Sequence, residues 1–235
     1  MTQQDRPEFD RYAETYRDLH AESIRISGEA PDYFARYKVQ EVARLSELVR
    51  LGSDGLKLLD YGCGIGSSIP FFAEQLPGAQ IHGVDVSEES LALATEKNAG
   101  KACFTGFDGS RLPYPDSSFD VVFTSCVFHH IEPDRWLASM LEIKRILRRG
   151  GEFFLFEHNP WNPLTRKVVR ECPFDEHAVL LSARKASALM RDAGFNNLRT
   201  RYTVFFPRPL SALRPMERFL SAVPAGAQYF IQARH

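Results

Sequence analysis

Leu58-Leu59-Asp60-Tyr61-Gly62-Cys63-Gly64-Ile65-Gly66-Ser67 is the stretch that decides how this 235-residue chain is read. A short apolar run ends in an acid, three glycines follow at alternate positions, and Ser67-Ser68 lead into an apolar, helix-like stretch. The pattern predicts a strand, a tight turn and a helix start. Glycine is required where the backbone takes positive φ or lies against a ligand, because a Cβ would clash there. A helix start offers unpaired N–H groups to an anion. Asp60 adds a carboxylate for an ammonium or for a turn amide. The dinucleotide fingerprint Gly-x-Gly-x-x-Gly/Ala is not met, since its third position falls on Ser67.

Outward from this loop, strands and helices alternate. Lys57–Tyr61, Gln80–Val84 with Asp85 at its end, Ala102–Thr105, Phe119–Ser125 and Glu152–Glu157 read as strands. Helical patterns fall at Ser68–Gln75, after Ser87, and from Pro133 to Leu147. Such alternation implies right-handed βαβ units and a parallel sheet covered on both faces. Upstream, Tyr33–Leu51 reads as one amphipathic helix ended by Gly52-Ser53-Asp54-Gly55. Downstream, Leu164–Arg170 and Ser182–Ala193 read as helices and Leu198–Phe206 and Gln228–Arg234 as strands. Arg149-Gly150-Gly151 reads as a turn. Asp85 lies about 20 residues beyond the glycines, where an acid accepts hydrogen bonds from ribose hydroxyls.

Taken in that order, Asp-x-Gly-x-Gly-x-Gly at residues 60–66, Asp85, Phe107-Asp108, Ser125-Cys126-Val127-Phe128-His129-His130 and Leu147-Arg148-Arg149-Gly150-Gly151 resemble the motifs of class I S-adenosylmethionine-dependent methyltransferases. The resemblance implies an α/β, doubly wound Rossmann-like fold. Its sheet would have seven strands, mostly parallel, with a C-terminal antiparallel hairpin and helices on both faces. S-adenosylmethionine is the implied cofactor. Asp60, Gly62, Cys63 and Gly64 would hold its amino-acid tail, Asp85 with Val86 its ribose, Phe107 and Asp108 its adenine, and Ser125 and Cys126 its methionine side. The segment Phe9-Asp10-Arg11-Tyr12-Ala13 resembles the family's cofactor-covering start. Phe9, Tyr12, Ala13 and Tyr16 share one helical face, and a tyrosine face such as that of Tyr16 attracts a sulfonium cation.

Composition narrows the setting. The chain has 44% hydrophobic and 25% charged residues, ordinary for a globular protein. Its length fits one domain, 1–235, divided into an N-terminal helical cap (1–52), a cofactor-binding core (55–157) and a substrate-side region (158–235). A net charge of −1 exerts no global pull on nucleic acid. The start is polar, without a signal-peptide core, and no apolar run reaches membrane-spanning length. Cys63, Cys103, Cys126 and Cys172 are scattered, so a reducing cytoplasm is expected.

Methyl transfer asks mainly for alignment and exclusion of water. A base is needed only for an acceptor that loses a proton. His130, or failing it His129, is the candidate because both follow the fourth strand's carboxyl end; His158 follows the fifth. The competing reading is that these histidines hold loops. No metal is expected, since the three lack helical or cysteine-supported ligand spacing. The Asn-Pro-Pro-Tyr type motif of amino-methylating nucleic-acid enzymes is absent after the fourth strand. A small-molecule acceptor is therefore favoured, without nucleic acid or membrane as partner. The alternatives are a nucleic-acid or protein methyltransferase and a non-catalytic cofactor-binding regulator.

Overall fold

The computed structural model of the chain describes residues 15–235. The aromatic positions Phe9 and Tyr12, with Ala13, lie outside the described residues, and Tyr16 opens the first described helix. In chain order the elements are α1 (Tyr16–Ser23), α2 (Pro31–Leu45), α3 (Glu47–Leu51), β1 (Lys57–Tyr61), α4 (Ile69–Gln75), β2 (Gln80–Asp85), α5 (Glu88–Lys97) and β3 (Cys103–Gly106). Then come β4 (Phe119–Ser125), α6 (Trp136–Ile146), β5 (Leu147–His158), α7 (Pro163–Glu171), α8 (Ala183–Asp192), β6 (Asn196–Thr203), α9 (Glu217–Leu220) and β7 (Gln228–Arg234).

All seven strands form one sheet in the order β3-β2-β1-β4-β5-β7-β6. The first five pair in parallel, while β7 runs antiparallel to both β5 and β6. This is the expected doubly wound, Rossmann-like sheet with its C-terminal hairpin. Strand residues alternate between two apolar layers, as the period-two pleat requires. Leu59, Tyr61, Val122, Phe153 and Leu155 pack with Trp136, Met140, Ile143 of α6 and Ala186, Met190 of α8. On the other face Leu58, Val121, Phe123, Phe154 and Phe156 pack with Val39 and Val42 of α2 and Ile69 and Phe72 of α4.

Three local readings are corrected. The helix expected over Tyr33–Leu51 breaks at Ser46, whose extended backbone ends α2 and whose Oγ caps α3 by accepting from Val49 N at 3.1 Å. The Ser46 hydroxyl donates to the buried Glu152 carboxylate, a tertiary contact that the helical periodicity hides. The fifth strand begins at Leu147 and runs through Gly150-Gly151, with Gly150 at φ 78° and a register shift against β4 between Phe119 and Val121. The sixth stops at Thr203, because the Glu217 carboxylate takes the amides of Val204, Phe205 and Phe206 at 3.1–3.2 Å and leads the chain out of the sheet.

Glu152 ties the N-terminal helices to the sheet. Besides Ser46 it accepts from Glu47 N at 3.3 Å, Gln232 Nε2 at 3.1 Å and Arg234 Nη2 at 3.4 Å. Removing it leaves buried donors unpaired, so Glu152→Ala should cost about 3 kcal/mol of folding stability in a denaturant titration. A loss below about 1 kcal/mol, the worth of a single exchangeable hydrogen bond, would show that water replaces the carboxylate.

Candidate functional site

One cavity of about 610 Å³ lies at the carboxyl ends of the parallel strands. Asp60, Gly62, Cys63, Gly64, Asp85, Val86, Phe107, Asp108, Ser125, Cys126, His129 and His130 all line it. Thus every expected site residue whose side chain is described reaches the same space. Tyr16 does not enter this account, because its side chain is outside the described atoms.

The loop after β1 is shaped by backbone sterics. Gly62 has φ 73°, and a Cβ there would stand 2.4 Å from Val127 Cγ2. Gly64 has φ 50°, and a Cβ there would meet nothing within 4 Å. The first glycine permits close approach of the loop after β4; the second leaves ligand space. Gly62 N and Cys63 N donate to Val84 O at 2.8 and 3.1 Å, locking the loop to β2. Asp85 accepts from Gly64 N at 2.8 Å and Ser87 N at 3.0 Å, so its carboxylate is aimed across the glycine loop. Asp108 accepts from Ser110 N at 2.8 Å and Ser110 Oγ at 2.6 Å, which keeps this exposed acid ionised below its usual range.

At the other end, polar groups are buried together. Burial, then the neighbouring Asp85 charge, pushes Asp60 up to about 8, against the pull of Lys38. Lys38 itself is only 5% exposed, and its Nζ donates to Ser125 Oγ at 2.7 Å and to Cys126 Sγ at 3.3 Å. Burial alone would raise the Cys126 thiol, yet His158 and Lys38 bring it down to about 6. Cys126 also sits at φ 58°, an uncommon conformation for a side-chain-bearing residue.

His129 is buried, with Nδ1 2.7 Å from Glu157 Oε2 and Nε2 3.5 Å from Asp175 Oδ1. Burial disfavours its cation, but Glu157 and Asp175 outweigh that and raise it to about 10. His130 keeps 16% of its side chain exposed, with Nε2 3.3 Å from the same Asp175 oxygen. Burial and the charge of His129 lower its pKa. Glu157 also accepts from Val127 N at 3.0 Å and Phe128 N at 2.7 Å, fixing the whole turn after β4 to β5.

Four of these groups escaped the sequence reading. Lys38 carried a signal: it is a charge four residues from Phe34 and from Val42, on the apolar stripe of α2. Glu157 ends an apolar strand, as Asp60 does, and the same signal applied to it. Asp175 lies in a short 3₁₀ turn (Pro173–Asp175), and His20, which also lines the cavity, lies on α1; neither had a pattern to mark it.

The methyltransferase domain family matches residues 59–155. A phosphoethanolamine N-methyltransferase of Arabidopsis thaliana is 28% identical over 151 residues, 61% of this chain and 29% of that protein. The chain spans between 29% and 54% of the first three curated relatives it matches. Among solved structures, a SAM-dependent methyltransferase from Thermotoga maritima aligns over 97% of this chain and 98% of its own, at TM-score 0.67 and 21% identity. A Haemonchus contortus phosphoethanolamine N-methyltransferase in complex with S-adenosyl-L-methionine aligns over 84% of this chain and 52% of its own, at TM-score 0.61 and 18% identity. The motif order, the sheet topology and the family match agree: residues 59–155 are similar to the methyltransferase domain, and the chain has the Rossmann-like fold of the S-adenosylmethionine-dependent methyltransferases it aligns with.

Proposed function

We propose that the chain binds S-adenosylmethionine and transfers its methyl group to an oxygen, nitrogen or carbon of a small-molecule acceptor. The observation that carries the reading is the single cavity joining the glycine loop, Asp60 and Asp85 to the turn bearing His130. Its volume is that of a pocket for small ligands, commonly about 300–1,000 Å³. The residues fit the cofactor. Buried Asp60 gains most from an ammonium, Lys38 supplies a cation for a carboxylate, and Gly64 leaves room where a Cβ would intrude. When bound, the cofactor supplies a sulfonium methyl and leaves as the thioether. The protein aligns the acceptor and excludes water. His130, oriented by Asp175, takes the proton of a hydroxyl or amine acceptor on its imidazole. His129, held by Glu157 and raised to about 10, carries its proton near pH 7 and serves as a support for His130 in place of the second base expected from its position.

Open space beside His130 favours an enzyme over a non-catalytic regulator. The net charge and the phosphoethanolamine acceptor named for the Arabidopsis relative favour a small molecule over nucleic acid or protein. No helix among the described residues is long and apolar enough to cross a membrane. Four free thiols suit a reducing cytoplasm.

Calorimetry tests the cofactor assignment: S-adenosylmethionine or its demethylated product should bind, and NAD far more weakly. Asp85→Ala should weaken that binding by roughly 1.5–3 kcal/mol, the worth of hydrogen bonds to a charged group. Unchanged affinity would remove Asp85 from the ribose site.

Cofactor binding should also depend on pH through Asp60, which faces Asp85 of β2, Cys63 of the loop and Lys38 of α2. Its ligand-free pKa of about 8 means a neutral carboxyl near pH 7, whereas an ammonium needs the anion. Binding should therefore release a proton and tighten as pH rises from about 6 to about 8, read by calorimetry in buffers of different ionisation enthalpy. A folded pKa raised above the unfolded value lowers stability as pH climbs between the two. Asp60→Asn should consequently raise the ligand-free Tm near pH 8 while weakening binding. Proton-neutral binding in the wild type would contradict the Asp60 contact.

With an acceptor identified from a metabolite screen, His130→Ala should lower kcat by about 10²–10⁴ with cofactor affinity and Tm little changed. A loss below about tenfold would leave positioning and desolvation as the only catalytic contributions.

A further inference from the structure

His129, His158 and Asp175 are separated by 29 and 17 residues in the chain, yet one ligating atom of each lies within 4.8 Å of the others. They come from the turn after β4, the end of β5 and the 3₁₀ turn after α7. All three line the cavity.

The geometry is not that of a finished hydrogen-bond network. Glu157 Oε2 at 2.7 Å takes the Nδ1 proton of His129, which leaves Nε2 as the nitrogen facing Asp175. Asp175 is 7% exposed, and its Oδ1 has no well-formed hydrogen bond. A carboxylate oxygen facing that nitrogen needs a positive centre between them, which is either a second proton on His129 or a metal ion. Their 3.5 Å separation is long for a charged N–H···O bond, which closes to about 2.7–2.9 Å. It is close to the edge of a tetrahedron: ligands bonded at about 2.0–2.1 Å to zinc stand about 3.3 Å apart. His130 Nε2 lies at a similar 3.3 Å from the same oxygen. The Glu157–His129 pair has the form of the carboxylate that orients a metal-binding histidine through its far nitrogen. Charge points the same way. Glu157 and Asp175 are two buried carboxylates, of which a proton on His129 neutralises one and a divalent ion both.

We infer that His129 Nε2, a ring nitrogen of His158 and the Asp175 carboxylate bind one divalent metal ion of the zinc type, with its remaining position toward the cavity. Imidazole nitrogens with one carboxylate suit such borderline ions better than calcium or magnesium, which take all-oxygen shells. The three ligating atoms, within 4.8 Å of one another, draw together on the ion. Glu157 is the positioning residue for His129. The inference goes beyond methyl transfer and does not depend on it, because metal binding is measured without cofactor or acceptor.

The test uses the whole chain without an affinity tag, stripped with a chelator and then titrated with Zn²⁺. Stoichiometry is read by elemental analysis, and the ligand field by the visible spectrum with Co²⁺ as substitute. About one ion per chain is expected, with the intense visible absorption of tetrahedral Co²⁺. His158→Ala and Asp175→Asn should each weaken Zn²⁺ binding by more than about 100-fold, and Glu157→Gln by about 10–100-fold. Circular dichroism shows whether each variant is folded. Should Asp175→Asn fail to fold, His158→Ala and the wild-type stoichiometry decide. A wild type that retains well under one ion, or folded variants with unchanged affinity, would overturn the site and leave a protonated His129 bridging the two carboxylates. Loss of S-adenosylmethionine binding with zinc binding intact would count against the methyl-transfer reading alone.

Discussion

Glu157 is a carboxylate with no access to water, at the end of a strand buried on both faces. Such a group is tolerated only when its oxygens are satisfied. It takes the amides of Val127 and Phe128 and the imidazole of His129, and thereby pins the turn after β4 to β5. That turn carries Val127 over Gly62, where a Cβ would clash, so Glu157 also sets how closely the turn approaches the glycine loop. The cavity's shape at the end lined by Val127, His129 and His130 follows from this one anchor.

The same end of the sheet gathers an unusual density of buried charge. Asp60, Asp85, Glu157, Asp175, Lys38 and three histidines occupy the carboxyl edges of β1, β2, β4 and β5 and the helices packed against them. Open α/β sheets bind ligands along this edge because the loops there are freed from sheet pairing. A core that existed only for stability would replace such groups by apolar ones, which is often neutral or stabilising. Their retention here is the physical sign of a site. Three of them are held by named partners: Lys38 by Ser125 and Cys126, Asp85 by Gly64 and Ser87, His129 by Glu157.

The helical cover on the site is tied in by two carboxylates far from it. Glu152 fastens the α2–α3 junction to β5 and β7, and so sets the register in which α2 offers Lys38 to the cavity. Glu217 gathers three amides after β6 and turns the chain at Val204 and Phe205, both of which line the cavity. Neither acid touches the glycine loop, yet both determine which side chains face it.

The sequence by itself determined the sheet and the cofactor-loop half of the cavity. Those features are local: period-two apolar strands, glycines at positive φ, and acids at strand ends all act within a few residues of where they are written. β1, β4 and β7 fall where the pattern places them, and Asp60, Gly62, Gly64 and Asp85 reach one space. Tertiary structure decided the rest. Ser46 breaks a helix only because Glu152 comes to meet it, and Gly150-Gly151 joins a strand only because β4 and the C-terminal residue lie alongside. Asp175 reaches His129 from 46 residues further along the chain, and Lys38 reaches Ser125 and Cys126 from 87 and 88 residues before them, both through packing. Spacing along the chain carries no metal-ligand pattern, while folding brings His129, His158 and Asp175 within 4.8 Å, since side chains converge in space and not in sequence.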